Sequence, residues 1–130
     1  DDNKVVTSIH RDAAINNMRL LCVFYGYAPM TFALAVNLLD RLLGKVKAHP
    51  KYLSCISACC FLISAKSVET STFIPSAVEL VKLSQCGGSS ADLMRMERLI
   101  LDKLQWQVQH AATPLLFLQL FHTLLADMDP

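Results

Sequence analysis

Apolar positions recur every three or four residues along most of the chain, and Gly, Pro and Ser break that rhythm into six segments. The first predicted helix runs from about Ser8 to Tyr25 and stops near Gly26. The second begins at Pro29, a residue suited to a first helical turn, and ends at Gly44. Its apolar stripe is Phe32, Val36, Leu39 and Leu43. His49-Pro50 opens a third helix that reaches Lys66, and a fourth starts near Pro75 and stops before Gly87-Gly88. Ser89, with Asp92 three residues later, reads as a capping box for a fifth helix ending near Leu104. Thr113-Pro114 then opens a sixth, to about Leu125. No segment has strand periodicity and no internal repeat stands out, so the predicted fold class is all-α.

The third segment differs from its neighbours because it is apolar on every side, from Tyr52 and Leu53 through Cys59-Cys60-Phe61-Leu62-Ile63. A helix without a polar face is a central one, wrapped by the others. Small residues at Ser54, Ser57, Ala58, Ser64 and Ala65 let those neighbours approach closely. The expected architecture is a bundle of helices around this buried rod, followed by the C-terminal helix.

At 130 residues the chain reads as one domain, 1–130, and its start on Asp1 reads as a piece excised from a longer protein. Hydrophobic residues make up 53% and charged residues 18%, so more apolar surface exists than a domain of this size can bury. The surplus points to an apolar face reserved for another protein. Net charge is +1, which gives little attraction for nucleic acid or an anionic membrane. The longest uncharged run, Tyr52 to Ala65, is shorter than the ~20 residues a bilayer span needs. Five cysteines scattered through apolar helical sequence fit reduced thiols in a cytosolic or nuclear protein.

Few polar residues call for explanation. Asp40 lies on the stripe of the second helix; it pairs either with Lys47 or Arg41 at the surface, or with Arg11 or Arg19 as a buried ion pair. Lys66 at the end of the dry helix complements the helix dipole, with Glu69 just beyond, and either is a solvated end or a contact. Glu97 falls in the alternating run Arg95, Glu97, Arg98, Asp102, Lys103, a pattern that usually marks a wet face. Arg41, Lys45, Lys47 and Lys51 form a modest basic edge. Cys55, Cys59 and Cys60 lack the second ligand pair that zinc requires and read as core packing. No nucleophile–base grouping and no phosphate-binding glycine loop is recognisable, so neither an enzyme nor a cofactor or metal is predicted.

Three stretches in register, Leu34-Ala-Val-Asn-Leu-Leu-Asp-Arg-Leu-Leu43, Ser64-Ala-Lys-Ser-Val-Glu69 and Met94-Arg-Met-Glu-Arg-Leu-Ile-Leu101, resemble the cyclin box over nearly the whole chain. The wording is most similar to the G-type cyclins and the related I-type. The resemblance implies a cyclin-box fold and a regulatory subunit for a cyclin-dependent serine/threonine kinase, active in the cell cycle in nucleus and cytoplasm. It also implies a link to protein phosphatase 2A through its regulatory B′ subunits, to which no residue can be assigned.

By the same resemblance, Lys66, Glu97 and Glu69 would hold the kinase's regulatory helix, supported by Ile63, Trp106 and Val108. The usual second acid and aromatic after the lysine are absent from Lys66-Ser-Val-Glu69. Counting back from Met30-Thr-Phe selects Arg11, and not Arg19, as the buried partner of Asp40. That register places His10, Ala13, Ala14 and Asn17 where typical cyclins build an apolar groove for recruitment motifs, and these side chains cannot form its walls. The competing functional class is a nucleic-acid-binding cyclin fold of the general transcription factor type, which needs a coherent basic surface.

Overall fold

A computed structural model describes residues 5–70, 73–84 and 86–109. They form α1 (Ser8–Tyr25), α2 (Pro29–Lys45), a short 3-10 turn (Pro50–Tyr52), α3 (Leu53–Val68), α4 (Ala77–Ser84) and α5 (Ser90–Lys103). There is no strand among the described residues. The sixth helix expected between Thr113 and Leu125 lies outside them.

Each end has a local cause. His10 Nδ1 accepts the Thr7 backbone N–H at 3.0 Å, closing the start of α1. Gly26 ends that helix at φ +67°, a left-handed turn that only glycine adopts without strain. The Tyr27 N–H then returns to the Cys22 carbonyl at 2.9 Å. Ser89 and Asp92 exchange the reciprocal bonds of a capping box at 3.0 and 3.1 Å, fixing where α5 begins.

Helix α3 sits in the middle and touches every other helix. Eleven of its 16 residues are buried, including Cys59, Cys60 and Phe61 with no exposed surface at all. By length and hydropathy the stretch Pro50–Val68 would pass for a membrane span, but most of it is covered by the surrounding helices. Its hydropathy is that of a core.

Polar side chains on this rod serve the packing. Ser64 Oγ donates to the Thr31 carbonyl at 2.5 Å, joining α3 to the first turn of α2 where both residues are buried. Midway along α3, Phe61 stacks with Tyr25 and Tyr27, ring centroids 6.0 and 5.7 Å away, and Tyr27 donates its hydroxyl to the Phe73 carbonyl at 2.6 Å.

Arg11 and Asp40 tie α1 to α2. The guanidinium meets the carboxylate side-on, Nε to Oδ1 and Nη2 to Oδ2, both at 2.7 Å. Arg19 instead bonds Asn16 within its own helix. The partner expected from the sequence register is therefore the one found. The expectation of burial is corrected: the side chains are 39% and 42% exposed, because the pair lies at the edge of the helix contact and not within it. Its geometry is good, but solvent screens it.

Two outcomes follow for stability. Arg11→Ala should cost about 1 kcal/mol, the scale of an exposed pair and well short of a buried one, and Arg19→Ala less still. Phe61→Ala, which empties the centre of the bundle, should cost about 3–5 kcal/mol. Urea unfolding of the three variants beside the parent chain orders these effects.

Candidate partner-binding face

Lys66 leaves the buried rod in its last turn, where α3 reaches the surface. Across from it, α5 presents Glu97, and the Lys66 ammonium meets the Glu97 carboxylate at 2.8 Å. The two expected residues are thus brought together. They are unequally placed, the lysine side chain 52% exposed and the glutamate 14%. Lysine's long stem carries its charge out to water, while the shorter glutamate stays against the protein and is held by it.

The pair forms part of the wall of an open groove of about 700 Å³ between α3, the start of α4 and α5. Leu62, Ile74, Met94, Leu101 and Trp106 supply its apolar lining, and Arg98 adds a second cation. Met94 and Trp106 are each 57% exposed, so the groove opens to solvent through two large apolar side chains. Apolar surface beside a polar rim is the composition of a protein contact.

Trp106 is held from several sides. Its indole Nε1 donates to Asp102 at 3.0 Å, and the Arg98 guanidinium lies over its ring at 5.6 Å from the centroid. The backbone arrives there by an unusual route, with Gln105 at φ +56° and Trp106 at φ +58°. Two successive non-glycine residues in the left-handed region carry a cost of order 1–2 kcal/mol each. The N–H groups of Gln105, Trp106 and Gln107 bond back to the carbonyls of Asp102, Leu101 and Leu104, closing the turn.

Beyond the turn, Arg41 of α2 donates to the Val108 carbonyl at 2.8 Å and to the Gln107 carbonyl. Arg41 thereby fixes the segment that carries Trp106. Its sequence neighbourhood reads as a basic edge; only the long-range carbonyl acceptors, invisible in one dimension, give it this role.

Three other residues expected at the face stand elsewhere. Ile63 is buried in the core and, unlike the equally covered Leu62, is not part of the groove lining. Glu69 accepts the Ala28 N–H at 2.8 Å and the Thr31 hydroxyl at 2.6 Å, capping α2, whose own N-cap residue has no polar side chain. Its carboxylate is a structural group. Val108 is half-buried against the core and contributes its carbonyl to Arg41. His10, Ala13, Ala14 and Asn17 border a hollow of about 240 Å³ with no Phe, Tyr or Trp in its lining; Asn17 also borders a larger one of about 480 Å³ walled by Leu20, Leu21, Phe24 and Leu83.

Comparison with known proteins adds the family. The profile for "Cyclin, N-terminal domain" matches residues 1–109. Human Cyclin-G1 is 41% identical over 130 residues, which is 100% of this chain and 44% of that protein. Human Cyclin-G2 is 42% identical over 125 residues, 96% of this chain and 36% of that one. The chain thus spans less than half the length of these relatives. Among solved structures, a viral cyclin from herpesvirus saimiri superposes with a TM-score of 0.73 at 30% identity, covering 82% of this chain and 45% of the other. The chain belongs to the cyclin family, as a cyclin-box protein close to the G-type cyclins.

Proposed function

We propose that this domain is a non-enzymatic regulatory subunit that docks a cyclin-dependent serine/threonine kinase through the groove between α3 and α5. The observation that carries the reading is the Lys66–Glu97 pair at the rim of an apolar groove beside an exposed tryptophan. Such a rim suits the amphipathic regulatory helix of a kinase: apolar side chains enter the groove while the pair engages backbone and polar groups at its edge. Holding that helix inward brings its glutamate to the catalytic lysine of the kinase, so the cyclin selects the active conformation and supplies no chemistry itself. Glu69 is occupied at α2, so the charge offered here comes from Lys66, Glu97 and Arg98.

Recruitment of protein phosphatase 2A through a B′ subunit, and action in nucleus and cytoplasm, are proposed on likeness to G-type cyclins alone. The nucleic-acid alternative has a net charge of +1 against it.

Lys66→Glu should weaken kinase binding by about 2 kcal/mol, roughly 30-fold, as for a central contact of an interface. Lys82→Glu, on exposed α4, should leave it unchanged. Affinity capture from cell extract, followed by titration of the purified kinase, measures both; equal binding by the two variants would sink the assignment of this face. Arg41→Ala should cost about 1.5 kcal/mol of stability, since it removes charged bonds to two carbonyls. It should also shift the emission of Trp106, the sole tryptophan, as its turn loosens.

A further inference from the structure

Lys45 ends α2, Lys47 lies on the connection that follows, and Lys51 sits in the 3-10 turn; all three are exposed. None of them meets a carboxylate in an ion pair among the described residues. The sequence supplies the reason, since no acidic residue occurs between Asp40 and Glu69. Lys51 instead lies over the ring of Tyr52, 5.0 Å from its centroid. The connection itself is well held: the Val46 N–H returns to the Leu42 carbonyl at 2.9 Å, and His49 Nδ1 accepts the Lys51 N–H at 3.1 Å.

Lys47 and Arg11 border a hollow of about 300 Å³ between the start of α1 and the end of α2. Val6, Leu43, Val46 and Ala48 give it an apolar lining, half-buried and packed against the core. Every charged side chain in that lining is a cation. Asp40 and, at 3.9 Å, Asp12 balance Arg11, so the surplus positive charge comes from the lysines. The hollow shares no residue with the groove between α3 and α5.

We propose that this edge docks an acidic, extended segment of a partner protein, with an aliphatic side chain of that segment in the hollow and its carboxylates on the lysines. Charge complementarity selects the occupant. Lysines without a carboxylate of their own gain an ion pair from an incoming acid, and no internal pair has to break first. The apolar lining is a demand that a sugar–phosphate backbone does not meet, and a net charge of +1 gives no long-range pull on a polyanion. At about 300 Å³ the hollow is at the lower limit of ligand sites. It has room for a side chain, which an extended segment offers at alternate positions, whereas a docked helix needs a longer trough. An occupant here leaves Lys66 and Glu97 free, so one domain would join two partners.

The test titrates a short fluorescein-labelled peptide of alternating glutamate and leucine with the chain and reads fluorescence anisotropy. Saturable binding is expected, and it should weaken as salt is raised, because exposed charges are screened within about 10 Å at 0.1 M. Replacing the glutamates by glutamine, or the leucines by serine, should each weaken it about tenfold. Lys47→Glu should do the same while its helical circular dichroism matches the parent, and Lys66→Glu should leave the affinity unchanged. A single-stranded DNA and phosphatidylserine vesicles, titrated alongside, should bind more weakly than the peptide. No saturable binding, a glutamine or serine peptide that binds equally well, an unchanged affinity in Lys47→Glu, an equal loss in Lys66→Glu, or a tighter hold on DNA or vesicles would each overturn the proposal.

Discussion

A helix with no polar face can be stable in water only when surrounded, and α3 imposes that requirement on the rest of the chain. The other described helices lie against it, and its serines turn their hydroxyls to backbone carbonyls, of α3 itself at Ser57 and Ser67 and of α2 at Ser64. Ser64 bonds the first turn of α2, and Glu69, one step past the end of α3, supplies the cap that Ala28 cannot. The same helix that excludes water thus also fixes where α2 starts. At its last turn it reaches the surface, and there it delivers Lys66.

The candidate face is a by-product of that arrangement. α3 packs against α5, and the groove between them and the start of α4 is lined by side chains from all three. Ion pairs at such a margin contribute little to folding because water competes for both partners. Their value is positional: the carboxylate of Glu97 is held in place, with the ammonium toward solvent. Arg11–Asp40, also partly exposed, obeys the same physics, which is why good geometry there does not imply a large energetic effect.

Much of this was legible in one dimension. Helix boundaries followed Gly26, Pro29, the Ser89–Asp92 cap and the change of hydropathy at Lys66, all local signals. Lys66 and Glu97 could be paired because two short motifs resembled a known family, and Arg11 emerged from counting. What could not be read was long-range and polar. The binding of Glu69 to α2 across 41 residues, and of Arg41 to carbonyls across 66 and 67, leaves no periodic trace. Nor does a hydropathy pattern distinguish Ile63, inside, from Leu62 on the neighbouring wall of the groove, since both are apolar and almost wholly covered.

The paired left-handed residues Gln105 and Trp106 have a consequence for how quickly this surface could recognise anything. An indole clamped by Asp102, Arg98 and its own reversed backbone has already given up its rotational freedom when the chain folds. An incoming helix would meet a rigid ledge instead of a side chain that must first be ordered, so less entropy is lost at encounter. Conformational tension retained in the unbound protein in this way becomes readiness at the moment of contact.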